Sequence, residues 1–228
     1  MQLQWHTHDD DNSLAEALAD TVASDLGQAI DARGQALMAV SGGNTPRRFM
    51  EALSRRELDW AKVTITLVDE RWVPPQHPRS NARLVDQHLL RGKAAPARFV
   101  PLYVDAPTPE SALPQVAAHI DALPLPLDVA LLGMGTDGHT ASFFPGGDHL
   151  AEAIDPEGSA SVLPMRAPDA GEPRITLTLP LLVAAPKLYL QIAGAKKRHV
   201  LEEAANGADY PVRAVLQTTP QLDVFWCE

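Results

Sequence analysis

Four apolar runs constrain this chain more than any other feature: "ALMAVSGG", "VTITLVD", "LDVALLGMG" and "KLYLQIAG", each ending in glycine or charge. Runs so rich in aliphatic and β-branched residues argue for strands apolar on both faces, which is the condition of strands in a parallel sheet. Helical patterns separate them. "TPRRFMEAL" carries Pro46 in its first turn, where a missing N–H is harmless, and "SNARLVDQHLL", "PESALPQVAAHIDAL" and "AKKRHVLEEAAN" follow. Ahead of these, Leu14, Ala17, Leu18, Val22, Leu26 and Ile30 recur at helical spacing from Asn12 to about Ala32, with Asn12 or Ser13 as the cap. "LDVFWCE" closes the chain as a short strand. The pattern predicts one α/β domain over residues 1–228: a largely parallel, Rossmann-like sheet flanked by helices. Ligands of such sheets bind outside the carboxyl ends of the strands.

With 228 residues the chain is long enough to bury a core without disulfides or metals. Nineteen Lys and Arg against 29 Asp and Glu give a formal charge of −10, which works against non-specific binding to nucleic acid or an anionic membrane. The lone cysteine, Cys227, suits a reducing compartment. No basic region followed by an apolar stretch opens the sequence, and no run approaches the roughly 18 apolar residues of a membrane span. A cytoplasmic protein is the expectation. "HTHDDD" at positions 6–11 resembles a metal cluster, but a mobile polar N-terminus accounts for it, and no metal-ligand set is evident elsewhere.

Three strand ends carry chemistry. In "VSGGNTP", Gly42 and Gly43 allow backbone N–H groups close to a ligand, the following helix adds its positive end, and Ser41 and Thr45 offer hydroxyls: a phosphate site, or else a tight turn with Thr45 as helix cap. "LVDERW" places Asp69, Glu70 and Arg71 where a substrate would lie, or where Arg71 simply pairs with a neighbouring acid. "GMGTDG" satisfies a dinucleotide glycine pattern, but no regular helix follows it and no second strand supplies the required acid. What remains there is Asp137-Gly138-His139, a histidine able to take and return a proton, with Asp137 or Asp69 to orient it. "KKR", Lys196 to Arg198, is either a solvated face or a cationic contact to phosphate.

In order, "VSGGNTP", "LVDERWVP" with "SNARLV", "LLGMGTDGHTASFFPG", "RITLTLPLL" and "IAGAKKRHVLEEA" are similar to the 6-phosphogluconolactonase family, from about residue 35 to residue 205. The resemblance implies a fold shared with glucosamine-6-phosphate deaminases and ribose-5-phosphate isomerases, and hydrolysis of 6-phospho-D-glucono-1,5-lactone in the oxidative pentose phosphate pathway. It implies no organic cofactor, and a small phosphosugar lactone as partner. By position, His139 becomes the general base, Ser41, Gly42, Gly43 and Thr45 hold phosphate, and the family's lysine falls on Lys197, with Lys196 adjacent. Asp69, Arg71 and Arg174 match further family positions, and Asp137 either orients His139 or serves the turn. Arg71 or a backbone N–H of the glycine loop would stabilise the oxyanion. The deaminases carry a glutamate five residues after the histidine, where this chain has Phe144. The competing expectations are a deaminase-like enzyme and a non-catalytic sugar-phosphate regulator.

Overall fold

In the computed structural model, which describes residues 2–228, the chain runs β1 (Gln2–His8), α1 (Asp11–Arg33), β2 (Ala36–Val40), α2 (Pro46–Leu53), β3 (Val63–Leu67), β4 (Asp69–Arg71) and α3 (Asn81–His88). It continues through β5 (Arg98–Val100), α4 (Pro109–Asp121), β6 (Val129–Gly133), α5 (Leu150–Ala153), β7 (Val162–Met165), β8 (Arg174–Leu177) and α6 (Leu179–Val183). The last elements are β9 (Lys187–Ala193), α7 (Ala195–Ala205), α8 (Val212–Thr218) and β10 (Gln221–Cys227).

Seven strands form one sheet in the order β1-β10-β9-β6-β2-β3-β5, and every neighbouring pair is parallel. The apolar runs lie inside it as their composition requires: every residue of β2 is buried, and Ile65, Leu67, Leu131 and Leu190 have no exposed surface. Alternate side chains of the outer strands meet different helices. Tyr189 donates its hydroxyl to Asp25 of α1 on one face (2.5 Å), whereas Trp226 points to the start of α7 on the other. From β2 the chain moves outward to β3 and β5, then returns to β6 on the other side of β2. That reversal opens a crevice at the carboxyl ends of β2 and β6.

Three details differ from the sequence expectation. The N-terminal "HTHDDD" is no mobile tail: residues 2–8 form the edge strand β1, in register with β10 from Gln2↔Gln221 to His8↔Cys227. The cap of α1 is Asp10, not Asn12 or Ser13. Ser13 completes a capping box, its N–H donating to Asp10 Oδ1 at 2.7 Å, and Gly34 ends the helix at φ +77°. A second, antiparallel sheet, β4-β8-β7, stands beside the first and brings Arg71 opposite Arg174. Among the described residues no helix is long and apolar enough to cross a membrane.

Candidate active site

The crevice holds a cleft of about 200 Å³, lined from the carboxyl ends of β2, β6 and β9, the small sheet and the start of α7. Adjacent strands are stitched at its floor. Ser41 N–H donates to Leu131 O (3.0 Å), and Gly133 N–H donates to Ser41 Oγ (3.0 Å), which leaves the Ser41 hydroxyl proton available to a ligand. Beyond Ser41 the amides of Gly42, Gly43, Asn44 and Thr45 have no acceptor among the described residues. The loop is held close by Asn81, the first residue of α3. A Cβ at Gly42 would fall 1.9 Å from Asn81 Oδ1, so only glycine lets the backbone pass there. Thr45 makes no side-chain cap to α2, which removes the tight-turn explanation of its hydroxyl; its carbonyl accepts from Gln191 Nε2 at 3.3 Å.

After β6 the chain turns sharply through Gly135 to Ala141. Gly135 N–H donates to His139 O (2.9 Å), and a Cβ on Gly135 would lie 2.3 Å from the His139 ring. Asp137 Oδ1 receives His139 N–H at 3.2 Å and sits 2.6 Å from His139 Nδ1. Desolvation pushes the Asp137 carboxyl up, but the hydrogen bond and charge of His139 outweigh it and hold it below its ordinary value. A carboxylate only accepts, so Nδ1 carries a proton toward Asp137, and Nε2 faces the cleft with no protein partner among the described residues. Phe144 packs against the imidazole, ring centroids 4.4 Å apart, and Arg174 lies over its ring at 5.1 Å. Ala141, at the cleft wall, holds φ +50°, an uncommon conformation for a residue with a Cβ.

The second strand end divides its residues between site and scaffold. Asp69 lines the cleft, but its Oδ2 accepts the Ser142 hydroxyl at 2.6 Å, with Arg174 Nη1 at 3.7 Å, so the partner of the imidazole is Asp137 and not Asp69. Arg71 pairs with neither adjacent acid: its Nη1 donates to Arg79 O at 2.6 Å while the side chain lines the cleft. Glu70 turns away and accepts from the N–H groups of Arg71, Asn81 and Ala82 (2.7 Å each) and the Ser80 hydroxyl (3.1 Å). Burial pushes its carboxyl up against the pull of those donors. Lys197 reaches the cleft and Lys196 stays in solvent. Burial lowers the Lys197 ammonium from its usual range, opposed by the charge of Asp137.

The structure thus gathers Ser41, Gly42, Gly43, Thr45, Asp69, Arg71, His139, Arg174 and Lys197 around one cleft, with Asp137 behind His139. Sequence reasoning missed Asn81, Ser142 and Gln191, whose Oε1 is buried without a partner. Among the described residues no group of three or more His, Cys, Asp or Glu side chains is placed to hold a metal ion.

A glycine loop at a sheet's switch point, two arginines, a lysine and a carboxylate-held histidine define the class: an α/β enzyme of the kind that takes small anionic metabolites. The family model described as glucosamine-6-phosphate isomerases/6-phosphogluconolactonase matches residues 9–226, and the chain belongs to that family. It is 53% identical to a 6-phosphogluconolactonase of Rhizobium meliloti over 99% of both chains, and 50% identical to one of Mesorhizobium japonicum over 97% of this chain and 94% of the other. The crystal structure of a 6-phosphogluconolactonase from Shewanella baltica superimposes with a TM-score of 0.95 at 37% identity, covering 100% of this chain and 98% of that one.

Proposed function

We propose that this chain hydrolyses 6-phospho-D-glucono-1,5-lactone to 6-phosphogluconate in the pentose phosphate pathway, as its relatives' name describes. The observation that carries the catalytic part is the Asp137–His139 pair, which turns Nε2 to the cleft without a protein partner, beside the glycine loop. A lactone is already electrophilic, so the chemistry requires an activated water, a stabilised oxyanion and a proton for the departing ring oxygen. In this reading His139 Nε2 takes a proton from water as its oxygen bonds to C1. The tetrahedral intermediate then collapses, the bond from C1 to the ring oxygen breaks, and His139 returns the proton to that oxygen. Arg71 faces the oxyanion, because the loop amides are assigned to phosphate.

The phosphate dianion lies on the amides of Gly42 and Gly43 with the hydroxyls of Ser41 and Thr45 and the ammonium of Lys197, and supplies binding energy for positioning. Phe144 supports hydrolysis over deamination, since the carboxylate that would extend the histidine into a relay is replaced by an apolar ring. Cytoplasmic residence and a phosphosugar lactone as partner belong to the same proposal; the buried, unpaired Cys227 agrees with the former.

The test is hydrolysis of freshly generated lactone measured against its spontaneous rate, with glucosamine 6-phosphate deamination in parallel. Acceleration of the first reaction alone is expected. His139→Ala should return the rate to background and still bind 6-phosphogluconate; a variant that kept a near-normal rate would overturn the base assignment.

A further inference from the structure

Helix α7 opens with three successive cations, Lys196, Lys197 and Arg198, and has no acid in its first turn. Cations there oppose the positive end of the helix dipole, so something else must hold this turn in place. Lys196 escapes to solvent. Lys197 reaches the cleft with no carboxylate within ion-pair distance among the described residues, so its position depends on the backbone that carries it.

Arg198 supplies an anchor on a different side of the helix. Its guanidinium lies between two indoles, 4.8 Å from the Trp5 ring centroid and 4.7 Å from that of Trp226, and Nε donates to Glu202 Oε1 at 2.9 Å. The two tryptophans share a sheet face because Trp226 stands opposite Thr7, two residues along β1 from Trp5. Next to the stack, Trp226 Nε1 donates to Gly194 O (3.2 Å) and Gly194 N–H donates to Cys227 O (2.9 Å). Gly194 has φ +87°, which lets the chain leave β9 and enter α7 at this angle. Residues 194–198 are therefore fastened to β10 and β1 at several points, with Lys197 in the fastened stretch.

We propose that Arg198 is a positioning residue for phosphate: the Trp5–Arg198–Trp226 stack fixes the first turn of α7 and thereby holds the Lys197 ammonium over the glycine loop. A planar guanidinium suits the place because it stacks on both indole faces and stays charged, which a lysine does less well. One turn of helix spreads successive side chains by about 100°, so Arg198 acts without touching the ligand. The inference rests on the reading of Lys197 as a phosphate contact.

The experiment compares Arg198→Ala with Lys197→Ala in steady-state hydrolysis, inhibition by inorganic phosphate and thermal unfolding. For Arg198→Ala, KM and the phosphate inhibition constant should both rise roughly tenfold while kcat stays within about twofold. Arg198→Lys should recover part of the loss. Trp5→Leu, which removes one face of the stack from the half-exposed side, should raise KM by about threefold. A fall in kcat and in the thermal midpoint at constant KM would overturn the proposal and leave Arg198 a structural residue. If Lys197→Ala weakens phosphate inhibition and Arg198→Ala does not, the stack has no positioning role. If Lys197→Ala itself leaves phosphate inhibition unchanged, the phosphate assignment fails first.

Discussion

At the scale of the residue, the proposed chemistry turns on which nitrogen of His139 faces the cleft, and the contact of Nδ1 with Asp137 leaves that to Nε2. Asp137→Asn keeps the shape of the pair but removes the charge that supports a protonated ring. In the proposed mechanism kcat should fall by about tenfold to a hundredfold with little change in KM, read from initial rates of lactone hydrolysis. The variant also has a pH signature. The Asp137 carboxyl is held below its ordinary value, so the pair stabilises the fold above the usual carboxylate range and loses that contribution as pH falls through the depressed value. Asp137→Asn should accordingly flatten the acid side of a urea-midpoint profile. Lys197 titrates in the opposite sense. Burial has lowered its ammonium, and a phosphate dianion would restore it, so phosphate inhibition should weaken as pH rises through a range below that of an ordinary lysine. An inhibition constant flat across that range would separate Lys197 from the phosphate. These residues were legible in the sequence because each sits in a segment with its own pattern. Asn81, Ser142 and Gln191 were not: each is a single polar residue in a helix start, an aromatic segment or an apolar strand, and only the closing of the fold turns Asn81 and Gln191 toward the cleft and Ser142 onto Asp69.

At the scale of the element, the same carboxylate spacing served two purposes that sequence could not separate. Asp69 and Glu70 are neighbours on a strand, so their side chains must point to opposite sides, and the one that leaves the cleft accepts from the first two amides of α3, beside the Ser80 cap. Glu70 is fully buried and satisfies three backbone donors. Glu70→Ala would strand those N–H groups, and should cost about 2–4 kcal/mol in urea unfolding while lowering activity through a displaced Asn81. Stability within error of the parent chain would refute the role of Glu70 in holding the start of α3. The central parallel strands β2, β3, β6 and β9 were visible because burial of both faces writes a largely apolar run. β4, β5, β7 and β8 were invisible because three or four residues are too few for any period to register. β1 was misread for a related reason: an edge strand is only half covered, so its polar residues are compatible with pairing.

At the scale of the whole molecule, a protein of formal charge −10 presents a cleft walled by Arg71, Arg174 and Lys197. The total, summed over the sequence, weighs against non-specific binding to polyanions but carries no information about the cleft, because position is lost in the sum. The distances over which charges act decide how a phosphorylated substrate experiences the two. A chain of this length has a radius of gyration of about 17 Å. The screening length is about 30 Å at 0.01 M salt, about 10 Å at 0.1 M and about 3 Å at 1 M. At the lowest salt the acidic surface reaches an approaching dianion, at intermediate salt only the cleft cations do, and at the highest even those are screened. For a substrate of that charge, kcat/KM should rise from about 0.01 M to about 0.1 M salt and fall again toward 1 M. Lys197→Ala should keep the rise and lose part of the fall, because the first belongs to the surface and the second to the cleft. A steady decline from the lowest salt would mean that the acidic surface goes unfelt at the site, and that the local cations govern capture at every ionic strength.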